Sequence, residues 1–161
     1  MGRKAVFLDR DGTINYDKDY LYRKEEFEFI PGVIENLKEF RQQGYLLILI
    51  TNQSGVARGY YTEEDIDKLH EYMQEELRKE QAQFDAIYYC PHHRKGIVKK
   101  YSVECRCRKP GKLLFERAIK EYDIDPKQSI AIGDKERDLI PAEELGIKGY
   151  LIKKNNSWDI K

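Results

Sequence analysis

The chain has 161 residues, 40% of them hydrophobic, and its 29 lysines and arginines are matched by 29 aspartates and glutamates. A formal charge of zero gives no overall field toward nucleic acid or an anionic membrane, so any anionic ligand must be held by local groups. No segment approaches the ~20 apolar residues that span a bilayer, and the first apolar run is too short for a signal peptide, so one soluble, cytoplasmic domain over residues 1–161 is expected.

Short β-rich runs alternate with amphipathic stretches, the pattern of a parallel sheet covered by helices. The first strand is expected at Lys4–Asp9, followed by an irregular segment, Ile14–Ile30. A helix then starts at Pro31, carries Val33, Leu37 and Phe40 at helical spacing and stops before Gly44. The second strand is expected at Tyr45–Ile50. Thr62 is placed to cap a helix that opens with Glu63, Glu64 and Asp65, which suit the positive end of the dipole, and runs to about Glu80. A third strand, Phe84–Tyr89, leads into a second irregular segment, Cys90–Lys109. A helix after Pro110 and Gly111 reaches Tyr122, a strand covers Ser129–Ile132, a helix from Arg137 to Leu145 closes at Gly146, and a last strand covers Gly149–Ile152. The fold class is a Rossmann-like doubly wound α/β sheet, in which ligands sit beyond the carboxyl ends of the strands where strand order reverses.

Those strand ends carry the polar clusters. The first ends in Asp9-Arg10-Asp11-Gly12-Thr13, the second in Thr51-Asn52-Gln53-Ser54-Gly55, the third in Cys90, and the fourth in Gly133-Asp134-Lys135-Glu136-Arg137-Asp138. Two carboxylates two residues apart invite a division of labour in which one attacks or binds metal while the other handles a proton. Asp9, Asp11 and Asp134 would repel one another strongly unless a hard cation sat among them, and oxygen ligands of this kind suit Mg²⁺. Each cluster alone also reads as a turn or a cap; their joint occurrence at successive strand ends points to chemistry.

Asp9–Thr13 after an apolar strand, Ile50-Thr51-Asn52, Arg108-Lys109-Pro110 and Gly133-Asp134 with Asp138 resemble, in order, the four motifs of the haloacid dehalogenase superfamily. More narrowly, "TNQSGVARG" at 51–59, "CRCRKPG" at 105–111 and "GDKERD" at 133–138 are similar to the heptose bisphosphate phosphatases and the related histidinol-phosphatase domains, over residues 5 to 150. The resemblance implies that Asp9 is the nucleophile forming an aspartyl-phosphate and that Asp11 protonates the leaving oxygen and later deprotonates water. It also implies Mg²⁺ bound by the Asp9 and Asp134 carboxylates and the Asp11 backbone carbonyl. Thr51 and Lys109 would hold phosphate oxygens, and Asp138 would brace the metal loop.

All three cysteines and two of the three histidines fall in Cys90–Cys107. Cys90-Pro-His92 and Cys105-Arg-Cys107 offer four ligands suited to zinc, although both spacings are tighter than the usual C-x-x-C; a redox pair or a catalytic thiol is the weaker reading. The resemblance implies a structural zinc loop, 90–107, held by Cys90, His92, Cys105 and Cys107, with His93 facing solvent; His70 is expected in a surface or interface role. Arg108 is expected to face substrate, whereas Arg94, Lys95, Lys99 and Lys100 read first as a solvated face.

The twelve residues between His92 and Cys105 match the longer loop of the heptose branch rather than the shorter histidinol-phosphatase form. The implied reaction is hydrolysis of the C7 phosphate of D-glycero-D-manno-heptose 1,7-bisphosphate by a monomer, with histidinol phosphate or another small sugar phosphate as the alternative. Sugar contacts are expected from Asp17, Lys18, Asp19 and Tyr20, from Thr51, Asn52, Gln53 and Ser54, and from Lys135. A non-catalytic phosphate-binding module would lack Asp11 or Asp134, and both are present. A polynucleotide-end phosphatase is disfavoured by the zero charge. Family members usually continue into a further strand and helix, whereas the last residues here are "KKNNSWDIK".

Overall fold

Near-continuous apolar runs such as Ala5–Leu8 and Leu46–Ile50 are what a strand covered on both faces requires. In the computed structural model, which describes residues 2–159, they lie in a five-stranded, all-parallel sheet. Its strands are β1 (Ala5–Leu8), β2 (Leu46–Asn52), β3 (Ala86–Cys90), β4 (Ile130–Gly133) and β5 (Lys148–Leu151), in the order β3-β2-β1-β4-β5. The chain steps from β1 outward to β2 and β3, then returns to β4 on the other side of β1. The switch point therefore lies between β1 and β4, where Asp9 and Asp134 follow their strands.

The helices are α1 (Val33–Gln42), α2 (Glu63–Arg78), α3 (Leu113–Tyr122) and α4 (Glu136–Glu144). Alternation along β1 divides the core. Val6 and Leu8 join Leu47, Leu49, Val33, Leu37, Leu69, Met73 and Leu77 on the side of α1 and α2. Ala5 and Phe7 join Ile48, Ile50, Leu114, Phe115, Ala118, Leu139 and Ala142 on the side of α3 and α4. Each large side chain buried this way contributes roughly 1.5–3 kcal/mol of transfer free energy.

Boundaries differ from the expectation in ways that matter for the strand ends. β2 runs past Ile50, because the ladder to β3 continues with Thr51 opposite Tyr89 and Asn52 opposite Cys90. Thr51 and Asn52 are thereby held by a strand rather than a loop. The first helix begins at Val33, not Pro31, after Gly32 at a left-handed φ of 85°. Thr62 caps α2 as expected: its hydroxyl accepts from the Asp65 amide at 3.1 Å while the Asp65 carboxylate accepts from the Thr62 amide at 2.9 Å. Among the described residues, no helix is long and apolar enough to cross a membrane.

The two irregular segments are fastened. Ile14, Leu21, Phe27 and Ile30 are buried in the α1/α2 core. The second segment rests on the Ser54–Gly59 loop, with the Ile97 and Val98 amides both donating to the Ala57 carbonyl at 2.8 Å. A Cβ on Gly96 would collide with that carbonyl, so only glycine allows so close an approach. Beyond β5, which forms an edge of the sheet, the chain returns beneath the first strand's turn. The Trp158 indole N–H donates to the Thr13 carbonyl at 2.9 Å and the Asn155 amide to the Gly12 carbonyl at 3.0 Å.

Candidate active site

The turn after β1 brings Asp9 and Asp11 to the rim. Gly12 takes a φ of 88°, and a Cβ there would lie 2.5 Å from Asp134 Oδ2, so glycine is needed both for the turn and for the approach of β4. The Asp9 carboxylate is 11% exposed and accepts from Lys109 Nζ at 2.9 Å. The same ammonium donates to Asp138 Oδ1 at 2.7 Å and to the Ile50 carbonyl at 2.8 Å, and the lysine is 2% exposed. Burial pulls this ammonium down, but Asp9 and Asp138 outweigh it and hold it above the usual lysine value. Asp9 goes the other way: burial first, then Asp138, raises its carboxyl to about 7 against the pull of Lys109.

One ammonium therefore does not balance the carboxylates gathered here. Oxygens of Asp9, Asp134 and Asp138 lie within 4.8 Å of one another. Asp134 is raised by burial and by Asp138, and its Oδ2 is buried without a hydrogen-bond partner. An orphaned carboxylate oxygen in an all-oxygen cluster fits a hard divalent cation. The Asp11 carboxylate does not join this group, which corrects any reading of it as a side-chain ligand: it turns toward Arg10, Asn15 and Gln53. Among the described residues no hydrogen bond reaches the Asp11 backbone carbonyl, which leaves that oxygen able to coordinate. Asp138 also accepts from the Lys135 amide at 3.1 Å, tying the loop after β4 to the start of α4.

A cleft of ≈ 390 Å³ opens over these groups. Asp9, Asp11, Asp17, Asp19, Tyr20, Thr51, Asn52, Gln53, Ser54, Arg108, Lys109 and Lys135 line it, as the motifs lead one to expect. Lys18 does not: it points away and donates to the Glu26 carbonyl at 2.8 Å and Glu28 Oε1 at 3.2 Å, while the chain turns through left-handed φ values of 51° and 59° at Asp19 and Tyr20 to bring both of those into the cleft. Asn52 and Gln53 are occupied by the protein. Asn52 accepts from the Lys109 amide at 2.9 Å and donates to the Lys109 carbonyl at 3.3 Å, stapling that residue to β2. Gln53 donates to Asp11 Oδ2 at 3.1 Å and Thr51 Oγ1 at 3.0 Å, and accepts from the Tyr61 hydroxyl at 2.7 Å. Asp17 sits lower than an ordinary carboxylate despite its burial, chiefly through a hydrogen bond from Lys154.

The motifs gave no site role to Arg58, Tyr61, His93 or Arg137, which complete the lining together with Asp138. Arg58 and Arg137 stand inside the quoted "TNQSGVARG" and "GDKERD" stretches, so the signal was present. His93 is not simply solvent-facing, since Arg58 Nη2 approaches its Nε2 at 3.4 Å. Arg108 is half-buried and held below the usual arginine value by burial and by Arg137 and Arg58. Arg58 Nε and Arg108 Nη1 are buried without partners. No carboxylate among the described residues pairs with Arg58, Arg108 or Arg137. Arg94, Lys95, Lys99 and Lys100 lie outside the cleft; Arg94 pairs with Glu104 at 3.0 Å on the surface. His70 is buried, not at the surface, because it falls with Ile66, Met73 and Leu77 on the inner face of α2.

The cysteine loop closes on itself. Sγ of Cys90 lies 2.7 Å from that of Cys107 and 3.3 Å from that of Cys105, with His92 Nδ1 at 3.3 Å from Cys107. The four donors lie within 4.8 Å of one another, an S₃N set whose chemistry fits zinc. Cys107 is lowered to about 5, first by a hydrogen bond from Cys90 and further by Cys105 and His92, as suits a thiolate donor.

Residues 106–158 match the HAD-hydrolase-like family model. A protein of Haemophilus ducreyi named D-glycero-beta-D-manno-heptose-1,7-bisphosphate 7-phosphatase is 49% identical over 92% of this chain and 81% of its own length. One of Photorhabdus laumondii, named for the alpha anomer, is 43% identical over 93% and 82%. The crystal structure of a D,D-heptose 1,7-bisphosphate phosphatase from B. bronchiseptica, complexed with magnesium and phosphate, aligns with a TM-score of 0.84 at 32% identity, covering 95% of this chain and 82% of that one.

Proposed function

This chain belongs to the haloacid dehalogenase-like phosphatases, and from that premise we propose that it removes the C7 phosphate of D-glycero-D-manno-heptose 1,7-bisphosphate through an aspartyl-phosphate on Asp9. The observation that carries the substrate reading is the cleft itself. One side holds Asp9 against Lys109, and the rest of its lining includes three guanidiniums with no carboxylate partner among the described residues, as a substrate with two phosphates demands. The relatives' named substrate supports the sugar.

In the first step an Asp9 carboxylate oxygen attacks phosphorus, the bond from phosphorus to the sugar oxygen breaks, and Asp11 gives that oxygen a proton. In the second, water attacks phosphorus, Asp11 takes its proton, and the acyl-phosphate P–O bond breaks to regenerate Asp9. Thr51 and Lys109 hold the phosphoryl oxygens, with Lys109 oriented by Asp138 and Asn52. Magnesium, held by Asp9, Asp134 and the Asp11 carbonyl, would offset the charge of a phosphate brought against a carboxylate. It would also favour the ionised Asp9 that the metal-free site, with a carboxyl near 7, disfavours. Zinc on Cys90, His92, Cys105 and Cys107 would fix the loop that ends in Arg108 and Lys109.

Purified protein with Mg²⁺ is expected to release phosphate from the heptose bisphosphate with a higher kcat/KM than from histidinol phosphate or sugar monophosphates, and Asp9→Asn to abolish it. A preference for histidinol phosphate overturns the substrate assignment. Phosphate release unchanged in Asp9→Asn overturns the mechanism.

A further inference from the structure

The largest fully buried side chain among the described residues is a charged one, Arg10, at 0% exposure. A guanidinium without water must be matched on its donor sites by the protein. Arg10 donates from Nε and Nη2 to the two oxygens of Asp11, each at 3.0 Å, and from Nη2 to the Leu21 carbonyl at 3.3 Å. Nη1 is met by His70 Nε2 at 3.1 Å, from α2, sixty residues along the chain. Arginine only donates, so Nε2 must accept, and His70 is the neutral tautomer with its proton on Nδ1. An imidazolium would set donor against donor beside a buried cation. Burial and Arg10 both lower the imidazole well below its usual value, in agreement.

The Asp11 carboxylate thus receives N–H donors from three side chains. The Arg10 fork reaches both oxygens, the Asn15 amide reaches Oδ1 at 3.0 Å, and the Gln53 amide reaches Oδ2 at 3.1 Å. We infer that Arg10 and His70 form a positioning pair for Asp11, in which His70 Nε2 holds the guanidinium that fixes the plane of the catalytic carboxyl. This rests on the acid/base role proposed above for Asp11. The contacts differ in kind. The guanidinium grips both oxygens through a rigid, planar fork, whereas Asn15 and Gln53 each reach one oxygen through a neutral amide, so it is Arg10 that sets the plane of the carboxyl. Misplacing such a group lengthens proton transfer to the leaving oxygen, the step a poor leaving group needs most.

The test compares kcat/KM for a sugar phosphate, whose alkoxide must be protonated as it leaves, with kcat/KM for p-nitrophenyl phosphate, whose phenolate need not be. In a covalent mechanism both values report the steps up to formation of the aspartyl-phosphate. His70→Gln sets an amide oxygen near the position of Nε2, and His70→Asn sets one near Nδ1, out of reach of Arg10. His70→Asn is expected to lower the sugar-phosphate value about tenfold more than the nitrophenyl value, part of the roughly 10²–10⁴-fold that a positioned acid supplies. His70→Gln is expected to restore the ratio to within about threefold of the parent protein. Should His70→Asn not fold, His70→Phe, which fills the ring's volume but offers no acceptor, is compared with His70→Gln instead. Equal losses on both substrates, an unchanged ratio in the variant lacking the acceptor, or failure of Gln to restore it overturns the pair. A parent protein that hydrolyses neither substrate overturns the phosphatase reading itself, and the pair with it.

Discussion

Lys109→Met removes the buried ammonium held between Asp9 and Asp138. Lys109 Nζ serves Asp9, Asp138 and the Ile50 carbonyl, all within 2.9 Å, and methionine retains the stem's volume while removing all three contacts. Breaking a buried ion pair from one side costs about 3–5 kcal/mol, because the partner charges remain without compensation. For a chain of this size about 2–4 °C of melting temperature accompanies each kcal/mol, so a fall of about 6–20 °C is expected at neutral pH. Asp9, whose carboxyl Lys109 pulls downward, would respond by holding its proton more tightly, so the loss should be larger at pH 8 than at pH 5. Removing a second charge, in Lys109→Met with Asp138→Asn, should recover part of it. Circular-dichroism melts of metal-free protein at the two pH values measure this, and phosphate release with Mg²⁺ is expected to fall by at least about 100-fold, by analogy with the loss of a transition-state donor. A melting temperature lowered by less than about 3 °C, or a loss that shrinks as pH rises, would refute the assignment of Lys109 as counter-charge to these carboxylates.

The metal-free protein carries a second pH signature. Asp9 has a folded-state value of about 7 against 3.8 when unfolded, so the native state holds the proton more tightly and stability falls as pH rises between those values. The fall should be on the order of 4 kcal/mol, and Mg²⁺, by stabilising the ionised form, should reverse it; melts between pH 4 and 8 with and without Mg²⁺ check both signs. Stripping the cysteine loop with a thiol-competent chelator is expected to release about one zinc per chain by elemental analysis, lower the melting temperature and weaken selection of bisphosphate over monophosphate. Zinc content near zero in active protein would sink that account. Arg58→Ala and Arg108→Ala should each reduce kcat/KM for the bisphosphate by roughly 10- to 100-fold, the value of about 1.5–3 kcal/mol for a hydrogen bond to a charged group. Hydrolysis of a monophosphate should be much less affected, and equal losses on both would place these arginines elsewhere in the reaction.

Strand ends were legible because their signal is local. An apolar run followed by Asp9-x-Asp11-Gly12, or by Gly133-Asp134, shows where a strand stops and which groups it leaves at the rim, and a parallel sheet brings all such ends to one side. The convergence of Cys90, His92, Cys105 and Cys107 was legible for a similar reason, since two short pairs bound a single loop. The fate of side chains inside those motifs was not. Asn52 and Gln53 look like substrate contacts in the linear order, yet their amides are taken by the Lys109 backbone and by Asp11, Thr51 and Tyr61. Lys18 looks equivalent to its neighbours and faces away.

By itself the sequence determined the class of fold and the order of the elements, because periodicity and short-range spacing encode these within a few residues; the candidate nucleophile and metal ligands came from the motif resemblance, and the acidic cluster gathers Asp138 with Asp9 and Asp134 in place of the Asp11 carboxylate. Only the tertiary structure decided which charges are compensated. That Lys109 is locked between Asp9 and Asp138, that Asp134 keeps an unpartnered oxygen, that three arginines share a cleft in which no carboxylate among the described residues pairs with them, and that His70 on α2 supports Arg10 all depend on residues distant in sequence brought together in a largely buried setting. In that medium an interaction's sign and size follow from the full set of neighbours, which no local pattern contains.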